Sequence, residues 1–138
     1  MRIRLFIFSL LFGALGCHVA SIQSLSFVGD WSGKAPDGTT VKYSLHKDGS
    51  VVWFVDEANF KQASPSGMKA KYVIREKSPF WEIDIYDFVD GRFKGVTFLG
   101  ILQPIDDRTF KMEGAPSIDG DRPKSFDEEA ITFTKASA

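Results

Sequence analysis

The chain has 138 residues, with 17 basic and 18 acidic side chains, a formal charge of −1 and a single cysteine. That length supports one domain with a real hydrophobic core and excludes two. An almost neutral, evenly mixed charge argues against a nucleic-acid partner, and a lone cysteine excludes an internal disulfide.

The chain opens with Arg2 and Arg4, continues through an apolar stretch over 5–15, and reaches Ala14-Leu15-Gly16-Cys17. A basic start, a short apolar core and a small-residue cut site are the parts of a secretory signal. Its apolar run is much shorter than the roughly 20 residues that span a bilayer, which disfavours an uncleaved anchor. Two cleavage readings are open. The first resembles a bacterial lipoprotein box, with Gly16 before the cut and Cys17 carrying the lipid. The second is ordinary cleavage after Gly16 or Ala20. An exported lone thiol has no partner, and thioether lipidation removes that liability. The expected organisation is therefore a signal peptide over 1–16, a lipidated cysteine and tether over 17–26, and a folded domain over 27–138. Membrane lipid attached through Cys17 is the expected partner. His18 follows that cysteine where an aspartate would retain the protein at the inner membrane, and by resemblance to Gram-negative sorting this implies an outer-membrane location facing the periplasm. Loss of residues 1–16 removes Arg2 and Arg4, so 15 bases face 18 acids in the mature chain.

From Phe27 to Lys135 period-two alternation dominates, with no helical stripe longer than two turns. Eight short strands are expected at about 27–33, 40–46, 50–56, 68–75, 80–86, 95–103, 108–113 and 129–135, with one helical turn over 56–63. Turn chemistry separates them: Pro36-Asp37-Gly38, Lys47-Asp48-Gly49, Ser64-Pro65-Ser66-Gly67, Lys77-Ser78-Pro79, Asp90-Gly91, Asp106-Asp107 and Asp119-Gly120. A three-residue loop at Lys47-Asp48-Gly49 pairs Tyr43 with Trp53, Leu45 with Val51 and Val41 with Val55. A turn centred on Lys77-Ser78 pairs Ile74 with Trp81, Tyr72 with Ile83 and Ala70 with Ile85 on one side. On the other it sets Lys71 against Asp84, Val73 against Glu82 and Lys69 against Tyr86. A one-residue slip would mix the faces.

Short strands joined by tight turns, with one apolar face, must close or pack against a second sheet. Hairpins between sequence neighbours favour closure. The expected fold is all-β: an antiparallel up-and-down eight-stranded barrel, either filled by its side chains or holding one small ligand. Tyr43, Trp53, Tyr72, Trp81 and Phe98 point inward in such a barrel and are the candidate ligand-binding residues; buried tyrosine hydroxyls and indole N–H groups need partners.

Gly29-Asp30-Trp31 at the first strand resembles the Gly-x-Trp signature of lipocalins. Together with Lys47-Asp48-Gly49, with Leu99-Gly100-Ile101 ahead of Asp106-Asp107, and with Arg122-Pro123 and Phe126, it resembles a small lipocalin-like (calycin-type) domain of unknown function. That domain family occurs in planctomycete-type bacteria, often behind signal sequences. The resemblance covers about residues 27–135. It implies an eight-stranded barrel with Trp31 closing one end, and it supplies no activity. The last strand lacks the arginine that packs on this tryptophan in lipocalins, leaving Lys135 or Arg122 as the substitute.

Signs of chemistry are sparse. His46 beside a turn reads as a solvated side chain, and no serine or cysteine has a histidine base placed by pattern. Glu82 and Asp84 share a strand face, where a cross-strand ion pair with Lys71 accounts for them better than acid–base work. Asp119-Gly120-Asp121 lacks the remaining ligands of a calcium loop. No catalytic residue, metal site or cofactor is expected. The sequence reads as a lipid-anchored envelope lipoprotein with a non-enzymatic barrel for a small apolar or amphiphilic ligand. The rival is a filled barrel acting as a protein-interaction, inhibitor or assembly module, its protein partner unidentified.

Overall fold

The computed structural model describes residues 26–56, 67–89, 91, 93–116 and 120–137. The export segment over 1–16, the expected lipidation site Cys17, the helical turn beyond Asp56 and the turn at Asp119 lie outside the described residues.

Eight strands follow one another: β1 (Gly29–Lys34), β2 (Thr40–Leu45), β3 (Ser50–Asp56), β4 (Met68–Arg75), β5 (Trp81–Tyr86), β6 (Phe98–Asp106), β7 (Thr109–Pro116) and β8 (Ile131–Lys135). Each pairs antiparallel with its sequence neighbours, and β8 returns to β1, so the sheet is one closed eight-stranded up-and-down barrel. Closure removes every free strand edge.

The β2–β3 hairpin has the expected register, with Tyr43 opposite Trp53, Leu45 opposite Val51 and Val41 opposite Val55. Gly49 takes a φ of 87°, the left-handed position the three-residue loop requires. The β4–β5 hairpin is displaced by two residues from expectation: Tyr72 faces Ile85, Val73 faces Asp84, Ile74 faces Ile83 and Arg75 faces Glu82. A two-residue turn at Lys77-Ser78 would need a closing hydrogen bond from the N–H of residue 79, and Pro79 has none. An even slip leaves each side chain on its expected face but changes its partner. The expected Lys71–Asp84 pair is absent; Lys71 meets Asp87 at 3.3 Å, and Arg75 takes Asp84 at 2.7 Å.

Strand β6 also departs from expectation, spanning Phe98–Asp106 rather than 95–103. Gly95, at a φ of 81°, and the Val96 N–H bonded to Phe93 O still belong to the preceding turn. At the far end a register shift between Pro104 and Asp106 absorbs the donor that proline lacks.

The interior is built from alternate residues. Leu45, Val51, Ile83, Ile85, Leu102, Phe110 and Phe133 are wholly buried there. Glycine lets neighbouring strands close up at the seam: a Cβ on Gly33 would lie 2.6 Å from Ile131 Cγ2 and 2.7 Å from Thr132 O.

Two buried side chains on the outer surface, Ile101 and Glu113, mark where the connection from β7 to β8 folds back. Residues 120–130 of that connection lie across the outside of β5, β6 and β7. Phe126 packs on Phe80 at 4.8 Å, and the Asp127 N–H donates to Glu113 Oε1 at 3.1 Å. The alternation of the strands did not foretell this strap.

Candidate functional site

The odd-numbered strands begin, and the even-numbered ones finish, at the end of the barrel occupied by Trp31. Its indole Nε1–H donates to Phe27 O at 2.8 Å, which folds the chain before β1 across the opening. Phe27 then meets Trp81 at 5.6 Å and Phe110 at 5.8 Å, edge to face. Trp31 is 3% exposed, and Lys135 Nζ sits 5.5 Å above its ring. Lys135, not Arg122, thus covers the tryptophan. Gly29 makes this possible, since a Cβ there would fall 2.7 Å from Lys135 Cε.

The candidate ligand residues do not converge on one point. Trp81 belongs to this plugged end. The Tyr72 hydroxyl donates to His46 O at 2.9 Å and its N–H to Gly49 O at 2.9 Å, so Tyr72 ties the β2–β3 turn to β4. Burial, reinforced by the Asp48 charge, raises its phenol above the ordinary value.

Tyr43, Trp53 and Phe98 do come together, toward the opposite end. Trp53 stacks on Tyr43 at 5.8 Å and meets Phe98 edge-on at 4.8 Å. Two further rings join them from the β5–β6 connection: Phe93 stacks on Trp53 at 5.6 Å, and Phe88 lies 6.0 Å away. Neither was a sequence candidate, because both lie beyond the period-two run of β5. Asp87, at a φ of 54°, reverses the chain so that Phe88 turns inward and is 4% exposed. The signal available was composition: two phenylalanines in the connection over 87–97, beside Val89 and Val96.

Within this ring of aromatics the Trp53 indole N–H is buried and has no hydrogen-bond partner among the described residues. Buried N–H groups are almost always paired, and leaving one unmade costs about 1–3 kcal/mol. Beside it, burial drives the Tyr43 phenol far above its ordinary value, so the hydroxyl stays protonated. The cluster offers flat apolar faces and one unused donor.

A second constellation lies on the outside of β5. Glu82 receives Arg75 and Lys77 at 3.2 and 3.3 Å, with Arg122 Nε at 3.7 Å. Asp84 receives Arg75 at 2.7 Å and Arg122 at 2.6 Å. Arg122 also donates to the carbonyls of Ile83 at 3.2 Å and Gly100 at 2.7 Å, riveting the strap to the barrel wall. For both carboxyls burial acts to raise the pKa, but the arginine and lysine donors outweigh it and hold them below the ordinary range. They are ionised and saturated, the opposite of what a general acid needs. Between the strap and the β4–β5 turn runs a groove of about 490 Å³, lined by Pro79, Phe80, Glu82, Ile101, Arg122 and Lys124 among others. Among the described residues no three histidine, cysteine or carboxylate side chains gather as a metal site.

His46 is exposed beside its turn. No family model, no curated protein and no solved structure matches this chain.

Proposed function

We propose that this protein is an exported, lipid-anchored envelope lipoprotein whose barrel binds a small apolar or amphiphilic molecule without chemical conversion. The observation that carries the binding reading is the Trp53 N–H, unpartnered among the described residues and held among Tyr43, Phe88, Phe93 and Phe98. An amphiphile fits both halves of that surface. Its apolar body lies on the rings, and an oxygen of its head accepts the indole hydrogen, recovering the cost of the orphan. The anchor reading rests on the segment over 2–17 and its single cysteine.

Titrating the purified protein with a medium-chain fatty acid while recording tryptophan fluorescence tests the pocket. A saturable shift in the micromolar range is expected, and Trp53→Phe should abolish it although Trp31 and Trp81 remain. No spectral response in the wild type rejects the reading and leaves the rival, a filled barrel that presents its outer surface to a protein. For the anchor, Cys17→Ser should move the protein from the membrane to the soluble fraction; persistence in the membrane rejects lipidation.

A further inference from the structure

The groove outside the barrel is separate from the Trp53 cluster, and its construction is that of a binding site in its own right. It runs between the strap, which is fixed at two places, and the β4–β5 turn. Arg122 is held by Asp84 Oδ1, Gly100 O and Ile83 O, and Asp127 by Glu113. The opposite lip is the Pro79-Phe80 segment, with Phe80 steadied by Phe126. The floor is Ile101, an outward-facing side chain only 4% exposed and outside the barrel's interior cluster. Prolines at both lips and a pinned guanidinium mean that little conformational freedom remains to be lost on binding. The volume of about 490 Å³ lies within the range of small-molecule sites.

Charge then selects the ligand. Arg75, Lys77 and Arg122 surround Glu82 and Asp84, an excess of one cation in that network. At the rim, Lys124 and Asp121 add one charge of each sign, and neither forms an ion pair among the described residues. The groove and the ion pairs behind it thus bring four cations to three carboxylates, and Lys124 is the cation among them with no ion pair among the described residues. We propose that this outer groove binds a small monoanion with an apolar or aromatic body, its carboxylate at Lys124 and its hydrocarbon part over Ile101 between Phe80 and Pro123. The attraction is charge-assisted, with the flat body lying along the apolar part of the groove.

Hydrocinnamate is a suitable probe, with hydrocinnamamide and phenethylamine as neutral and cationic controls, added to the uniformly nitrogen-15-labelled protein and followed by amide chemical shifts. Saturable shifts are expected at Phe80, Ile101 and Lys124 for the acid. The amide should bind roughly tenfold more weakly and the amine not at all. Lys124→Glu changes an exposed rim residue and should weaken hydrocinnamate about tenfold or more while leaving the rest of the spectrum in place. Equal binding of acid, amide and amine overturns the proposal, as does the absence of saturable shifts at millimolar probe. Shifts centred on the Trp53 indole instead would put the probe in the interior cluster and overturn it as well.

Discussion

Asp84 and Glu113 sit on the same outer surface and respond to burial with opposite results. Burial raises the pKa of both, but Asp84 has two guanidinium donors that more than compensate, whereas Glu113 shares a side-chain hydrogen bond with the Asp127 carboxyl, which raises it further, and has one backbone N–H against it. Asp84 is thus depressed below its ordinary value of 3.8. Its stabilisation is present above that value and fades as pH falls through the lower folded one. Asp84→Asn should lower the denaturant midpoint at neutral pH by the equivalent of about 1–3 kcal/mol, and the gap from wild type should narrow in strong acid. Glu113 is raised, so its contribution is greatest in acid and is lost as pH climbs through the folded value. Glu113→Gln keeps an acceptor for the Asp127 N–H without the charge. It should melt at the same or a higher temperature than wild type at neutral pH, with no difference below the ordinary glutamate value of 4.5.

Among the elements, hairpins whose turn chemistry is self-contained could be read directly. Lys47-Asp48-Gly49 carries its own glycine at the left-handed position, and the Asp48 carboxylate accepts the Ser50 N–H at 2.9 Å, so the register of β2–β3 followed from local residues. The β4–β5 turn differed because Pro79 withholds a donor and Arg75 finds two acids across the strand, Glu82 at 3.2 Å and Asp84 at 2.7 Å. Alternation alone cannot distinguish registers that differ by two, since both bury the same face. The register of the seam between β1 and β8 was beyond local reading, although closure itself was expected. There Gly33 faces Phe133, and a methyl group would press on Ile131 and on the Thr132 backbone. Gly33→Ala should cost about 1–3 kcal/mol by overpacking, measured by urea unfolding. No loss of stability would mean that the seam yields more than its geometry indicates.

For the whole molecule, one continuous core ties all the strands together, and its rings divide between a plugged end and a Trp53 end. Phe110 and Phe133 stack at 5.2 Å between them, and Phe110 meets Trp31 at 4.6 Å. Phe110→Ala should cost about 3–5 kcal/mol through the void it leaves. Unfolding followed by near-UV circular dichroism and by fluorescence should still give coincident transitions, because no subdomain boundary interrupts the core. Separate transitions at the two ends would show that the barrel does not behave as one cooperative unit. The two proposed sites belong to this scale too. One lies inside the wall and the other outside it, so occupancy of each can be followed by its own probe.

The alternation after Phe27, the turn residues and the Gly29–Trp31 pair were enough to derive an all-β chain, its eight strands, the inward set of side chains and the closure of the sheet. Those properties depend on neighbours in sequence and on which face of a strand is oily. Folding alone decided that Trp81 and Trp53 lie at different ends, that Phe88 and Phe93 complete the aromatic cluster, and that Arg122 reaches back from the β7–β8 connection to Asp84 and the Gly100 carbonyl. Each of these joins residues separated by many turns of chain. Their meeting depends on strand tilt, register and the course of a connection, which no local pattern encodes.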